Sequence, residues 1–178
     1  MNKNSDLQMM VYASLLAALT AVGAFLSIPI GPVPIVLQSL FILLAGLLLG
    51  RKWGTVSVGI YLLAGAFGLP VFAGGAGGIG RFFGPTGGYL LGFLPAVYIT
   101  GLISEKRETN ILMDVVAMIC GSALIYAFGV SWLKIITGME LNKAVAAGMI
   151  PFIPGDVLKI VAAAFIARSV RPLIGNGR

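Results

Sequence analysis

Apolar runs long enough to cross a lipid bilayer follow one another along almost the whole chain. A transmembrane helix needs roughly 20 mostly apolar residues, and backbone left unpaired in lipid is intolerable. Six segments read as spans, near 7–28, 34–50, 53–69, 87–104, 111–134 and 155–171. Breakers punctuate them: Pro29, the turn Gly31-Pro32-Val33-Pro34, the cluster Gly50-Arg51-Lys52, Pro70 and Pro151 to Gly155. Several runs are short, about 24–27 Å at 1.5 Å per residue. Pro95 marks a possible kink in the fourth. Residues 139–150 read as a short interfacial helix with one charged end. The expectation is an all-α integral membrane protein with six transmembrane helices forming a single membrane domain over 1–178.

Charge agrees with that class. Charged residues make up 10% of the chain, against about a quarter in soluble domains. The net charge of +6 is better explained by membrane orientation than by nucleic acid. With the N-terminus inside, inner segments carry Lys3, Arg51, Lys52, Lys106, Arg107, Arg168, Arg171 and Arg178. Outer segments and helix mouths carry Arg81, Lys134, Lys143 and Lys159. That asymmetry places both termini in the cytoplasm. The first apolar run exceeds a signal-peptide core, so it is expected to be a retained span. Histidine is absent and Cys120 stands alone. Disulfide frameworks, His-based zinc sites and Ser-His or Cys-His nucleophiles are thereby excluded.

Function is sought first in residues 71–89, VFAGGAGGIGRFFGPTGGY. So many glycines disfavour a helix, each costing roughly 1 kcal/mol relative to alanine. The segment must leave the bilayer or line a protein cavity, and its small side chains let backbone approach a small molecule. Gly75 to Gly80 match the dinucleotide glycine pattern formally, but no strand precedes them. No P-loop sequence occurs, so any pumping must draw energy from another polypeptide.

Few polar residues interrupt the spans, and each is open to two readings. Asp156 and Lys159 share one face of the last helix. They form a ligand clamp, or Asp156 caps the helix while Lys159 snorkels to the interface. Gln38 serves a ligand or bonds a neighbouring helix. Arg81 meets a ligand carboxylate or lipid headgroups. Thr86 and Tyr89 open the fourth helix, where acceptor groups are favoured, although Thr86 also suits a plain cap. Asp114 reads as a helix-start residue. Small residues at four-residue spacing permit close helix approach: Ala13, Ala17 and Ala21; Gly46, Gly50 and Gly54; Gly88 and Gly92.

Three segments in this order, GPVPIVLQSL, GLPVFAGGAGGIGRFFGPTGGYLLGF and PFIPGDVLK, resemble the BioY family, the biotin-specific S components of energy-coupling factor (ECF) transporters. The resemblance runs over nearly the whole chain. It implies an S-component fold, a compact six-transmembrane-helix bundle, that captures biotin outside the cell. It also implies partners: a membrane scaffold subunit and two ABC-type ATPase subunits, in a prokaryotic plasma membrane. Neither a catalytic residue nor a cofactor is implied, biotin being the transported ligand. Carried over, Asp156 and Lys159 match the Pro-Gly-Asp-x-x-Lys motif, and Gln38 matches the glutamine after the Pro-x-Pro turn. Phe72, Ala73 and Gly74 match Phe-Ala-Gly-Gly, and Thr86 and Tyr89 match Gly-Pro-Thr-Gly-Gly-Tyr. Arg81 departs from the pattern of many relatives. Ala13 and Ala17 correspond to the strip that meets the scaffold. A stand-alone biotin facilitator, and an S component for another vitamin, remain alternatives.

Overall fold

The computed structural model describes residues 3–29, 31–105 and 110–174; Lys106, Arg107 and Arg178, three of the expected inner charges, lie outside them. The chain runs as α1 (Lys3–Phe25), a two-residue hairpin of β1 (Ser27–Ile28) and β2 (Ile35–Val36), α2 (Gln38–Ala66), α3 (Gly87–Glu105), α4 (Ile111–Thr137), α5 (Leu141–Gly148) and α6 (Ile153–Ile174). Five stretches within this order are long and apolar enough to cross a membrane.

The expected second and third spans form one element, α2, interrupted at Gly50. That residue adopts φ 72° and ψ −176°, backbone that only glycine enters without strain. A Cβ on Gly54 would stand 2.9 Å from the Ala45 carbonyl oxygen. Nine residues of straight helix would separate those positions by ~13.5 Å. The chain therefore turns back at Gly50, and the two arms, 38–49 and 51–66, pack against each other. Glu105 ties the turn down: its carboxylate accepts from the Arg51 backbone N–H (2.8 Å) and pairs with the Arg51 guanidinium (3.3 Å).

The glycines expected to form one strip serve separate ends. Gly46 admits α3, where an added Cβ would lie 2.8 Å from the Val97 carbonyl, Gly50 makes the turn, and Gly54 lets the arms touch. Gly88 and Gly92 open α3 to Trp132, Phe128 and Ile125 of α4. Replacing Gly54 by alanine is expected to force the arms apart. Overpacking against rigid backbone costs about 1–3 kcal/mol, which thermal unfolding in detergent would register as a lowered Tm.

Two boundaries differ from expectation. Ile35 and Val36, placed in the second span, instead pair with Ile28 and Ser27, so α2 starts at Gln38. The prolines at 32 and 34 have no N–H to donate, which favours a turn over a helix entry. Pro95 lies within α3, which continues through it.

Asp114 stands in the first turn of α4, as expected of a helix-start residue, but does not cap it. Asn110 caps α4, its side chain accepting from the Leu112 N–H. Asp114 is instead buried and paired with Arg171 of α6 at 2.8 Å. Arg171 also donates to Ser104 of α3 (3.0 Å) and to the Leu47 carbonyl of α2 (3.3 Å). One ionic cluster thus joins four helices at the end of the bundle where α6 finishes.

Candidate ligand-binding site

At the opposite end, the hairpin, the glycine-rich segment, the first turns of α2, α3 and α6 and the middle of α4 enclose a cavity of about 210 Å³. Its walls are largely apolar, with Val33, Val36, Phe72, Leu90, Phe93, Ile125 and Phe152 among them. The glycine-rich segment is ordered by its own backbone. Phe72 and Ala76 bridge each other, with the Phe72 N–H donating to the Ala76 carbonyl (2.8 Å). Gly74 and Gly75, both at positive φ, form the turn between them. Phe72 is seated over Gly65, where a Cβ would collide with its ring. Its ring meets Tyr61 and Phe82 edge-on, at 5.6 and 5.7 Å between centroids. Residues Ile79–Phe83 then make a 3-10 turn that carries Arg81 to the rim.

The connection from α4 to α6 comes to the same end, as the topology reading required. Tyr89 donates its hydroxyl to the Gly148 carbonyl (2.7 Å), and Trp132 donates its indole N–H to the Gly84 carbonyl (3.0 Å). Tyr89 therefore presents its ring to the cavity while its hydroxyl holds α5 in place.

Of the nine residues singled out as ligand-binding, eight line this one cavity: Gln38, Phe72, Ala73, Arg81, Thr86, Tyr89, Asp156 and Lys159. Gly74 does not; it shapes the turn one residue behind Ala73. Arg81 is exposed at the rim and has no ion-pair partner among the described residues. Thr86 leads into α3, its carbonyl accepting from the Tyr89 and Leu90 amides. Gln38 is buried at the head of α2, and its amide Nε2 lacks a protein partner.

Geometry speaks against the cap-and-snorkel reading of Asp156 and Lys159. Lys159 does not snorkel: its side chain is 9% exposed, and its ammonium donates to Asp156 Oδ1 (2.9 Å) and Ser39 Oγ (3.0 Å). Asp156 lies inside the first turn of α6 and spends its carboxylate on Lys159 and on the Tyr126 hydroxyl. No backbone capping bond to it is formed among the described residues. Lys159 has three N–H donors, so one stays free for a ligand. Asp156 retains unused lone pairs, and Gln38 adds an uncommitted amide. The cavity therefore offers donors and acceptors side by side against apolar walls, the pattern of a small-molecule site.

Sequence reasoning missed Ser39 and Tyr126. For Tyr126 a signal existed: Ser122 and Tyr126 stand four apart in an otherwise apolar run, hence on one helix face, and both line the cavity. Ala13 and Ala17 do not line the cavity and are buried in the core that α1 shares with α2. The small residues that α1 leaves exposed are Ser14 and Ala18.

The model of the BioY family matches residues 1–176. The chain is 41% identical over 167 residues to the biotin transporter BioY of Thermotoga maritima, covering 94% of this chain and 98% of that protein. It is 45% identical over 159 residues to a probable biotin transporter BioY of Pyrococcus horikoshii, covering 89% and 93%. Among solved structures, the S component for biotin from an ECF-type ABC transporter superposes with a TM-score of 0.91 at 34% identity, covering 97% of this chain and 95% of that one. With sequence and fold matched over nearly its full length, the chain belongs to the BioY family.

Proposed function

We propose that this chain captures biotin in the cavity described above, as the substrate-specific subunit of an ECF-type importer. The observation that carries the reading is the largely buried Asp156–Lys159 pair, which lines the same mostly apolar chamber as Gln38. The ureido ring of biotin has two N–H donors and a carbonyl, matching the spare acceptors of Asp156 and the free donors of Lys159 and Gln38. Its fused bicycle suits walls such as Phe72 and Tyr89. Its carboxylate needs a cation or backbone donors, and Arg81 at the rim competes with Lys159 for that role. The task is binding and transport, not catalysis.

In the membrane, the turn at Gly50 makes each arm of α2 a separate pass, giving six spans with both termini in the cytoplasm and the cavity at the outer face of a prokaryotic plasma membrane. The chain works with a membrane scaffold subunit and two ABC-type ATPase subunits, since it has no P-loop of its own. Small residues of α1 meet the scaffold. Ala13 and Ala17, the residues expected to form that strip, are buried against α2 here, so the exposed small residues beside them, Ser14 and Ala18, are the ones that reach the scaffold in this arrangement.

Titration of the detergent-purified chain with biotin by calorimetry tests the reading. One-to-one binding without ATP is the expected result, with fluorescence of Trp53 and Trp132 as a second readout. Folded protein that ignores biotin but binds another vitamin would make it an S component of different specificity. Biotin uptake in cells lacking every ATPase partner would favour a stand-alone facilitator.

A further inference from the structure

We propose that Tyr126 is a positioning residue for ligand recognition, its hydroxyl holding the Asp156 carboxylate where the Asp156–Lys159 pair meets the ligand. This inference rests on the biotin reading above. The Asp156–Lys159 contact lies within one helix, three residues apart. Such a pair moves as a unit with α6 and cannot by itself fix its place relative to the other walls. α6 is also the helix with much of its surface outward: Val157, Leu158, Val161 and Phe165 are all exposed. Near the cavity, the polar ties from other helices are Tyr126 of α4 to Asp156 and Ser39 of α2 to Lys159. Between the cavity and the Arg171 cluster, α6 fully buries only small side chains, Ala163, Ala164 and Ala167, with Ile160 and Val170 half-buried against the core, so few large side chains interlock to oppose sliding.

Tyr126 supplies what the alanines lack. A hydroxyl donating to a carboxylate forms a charge-assisted bond, roughly twice as strong as a neutral one. α4 is itself set firmly against α3, where Gly88 and Gly129 allow close approach. The bond thus refers the ligand-reading carboxylate to the closely packed α3–α4 pair. It also settles which way Asp156 turns, since a short side chain in a first helical turn has the competing option of capping backbone N–H groups.

The test uses the full chain carrying Tyr126→Phe, which removes only the hydroxyl. Affinity for biotin is measured by calorimetry, and the carboxylate stretch of Asp156 is followed by infrared difference spectroscopy, the band being assigned with Asp156→Asn. The expected result is an affinity loss of about tenfold or more together with a shifted Asp156 band in the ligand-free protein, at an unchanged helical content. Full affinity in Y126F, while the wild type binds, overturns the role of Tyr126 and leaves the biotin reading intact. Lost affinity with an unmoved band also overturns it, because Tyr126 would then touch the ligand directly. Failure of the folded wild type to bind biotin overturns the functional reading and this inference with it.

Discussion

Replacing Lys159 by methionine is expected to reduce biotin affinity by two orders of magnitude or more while the helical bundle persists. Methionine keeps the length and apolar body of the lysine stem but has no ammonium. Ser39 then loses its donor, and Asp156 is left partly buried with Tyr126 as its remaining partner. Truncating one member of a buried, hydrogen-bonded charge pair costs about 2–5 kcal/mol, and under the function proposed above the lost group is also a donor to the ligand. Asp156→Asn should weaken binding substantially for the complementary reason: one carboxylate oxygen becomes an amide that repels the Lys159 donor. Calorimetry reads both variants, with circular dichroism as the check on folding. Undiminished affinity in both would return Asp156 and Lys159 to a structural role and sink the proposed ligand clamp.

The second large effect lies at the other end of the molecule. Asp114→Ala is expected to destabilise the fold by about 3–5 kcal/mol, because it strands a buried guanidinium whose Nε already lacks a partner. For a chain of this size such a loss lowers Tm on the order of 10 °C. The paired replacement Asp114→Leu with Arg171→Met should recover most of it, since buried ion pairs are often no more stable than apolar groups of similar volume. Biotin binding, measured below the lowered Tm, should change far less than in the Lys159 variant. A double replacement as unstable as the single one would mean that the hydrogen bonds to Ser104 and Leu47, not the uncompensated charge, hold the four helices together.

The membrane class, the helical content and the breakers were legible in the sequence because they depend on local properties. Apolar run length, glycine and proline act within a few residues, so the ends of α3, α4 and α6 and the short α5 fell close to where they were expected. Eight of nine candidate ligand residues also converge on the cavity. There a family motif stood in for spatial information that spacing does not carry. Where spacing alone left a residue's role open, the deciding contact was distant in the chain. Asp114 reads as a helix-start residue until Arg171, 57 positions away, is brought beside it. Asp156 suits a cap until Tyr126 and Lys159 claim its oxygens. Ala13 and Ala17 form a strip at the right spacing, yet rotation of α1 against α2 decides that the strip faces inward. Lipid solubility was written into the composition. Which few polar groups meet one another inside that apolar mass was decided only by packing, because each such pairing joins segments whose positions relative to one another no local propensity specifies.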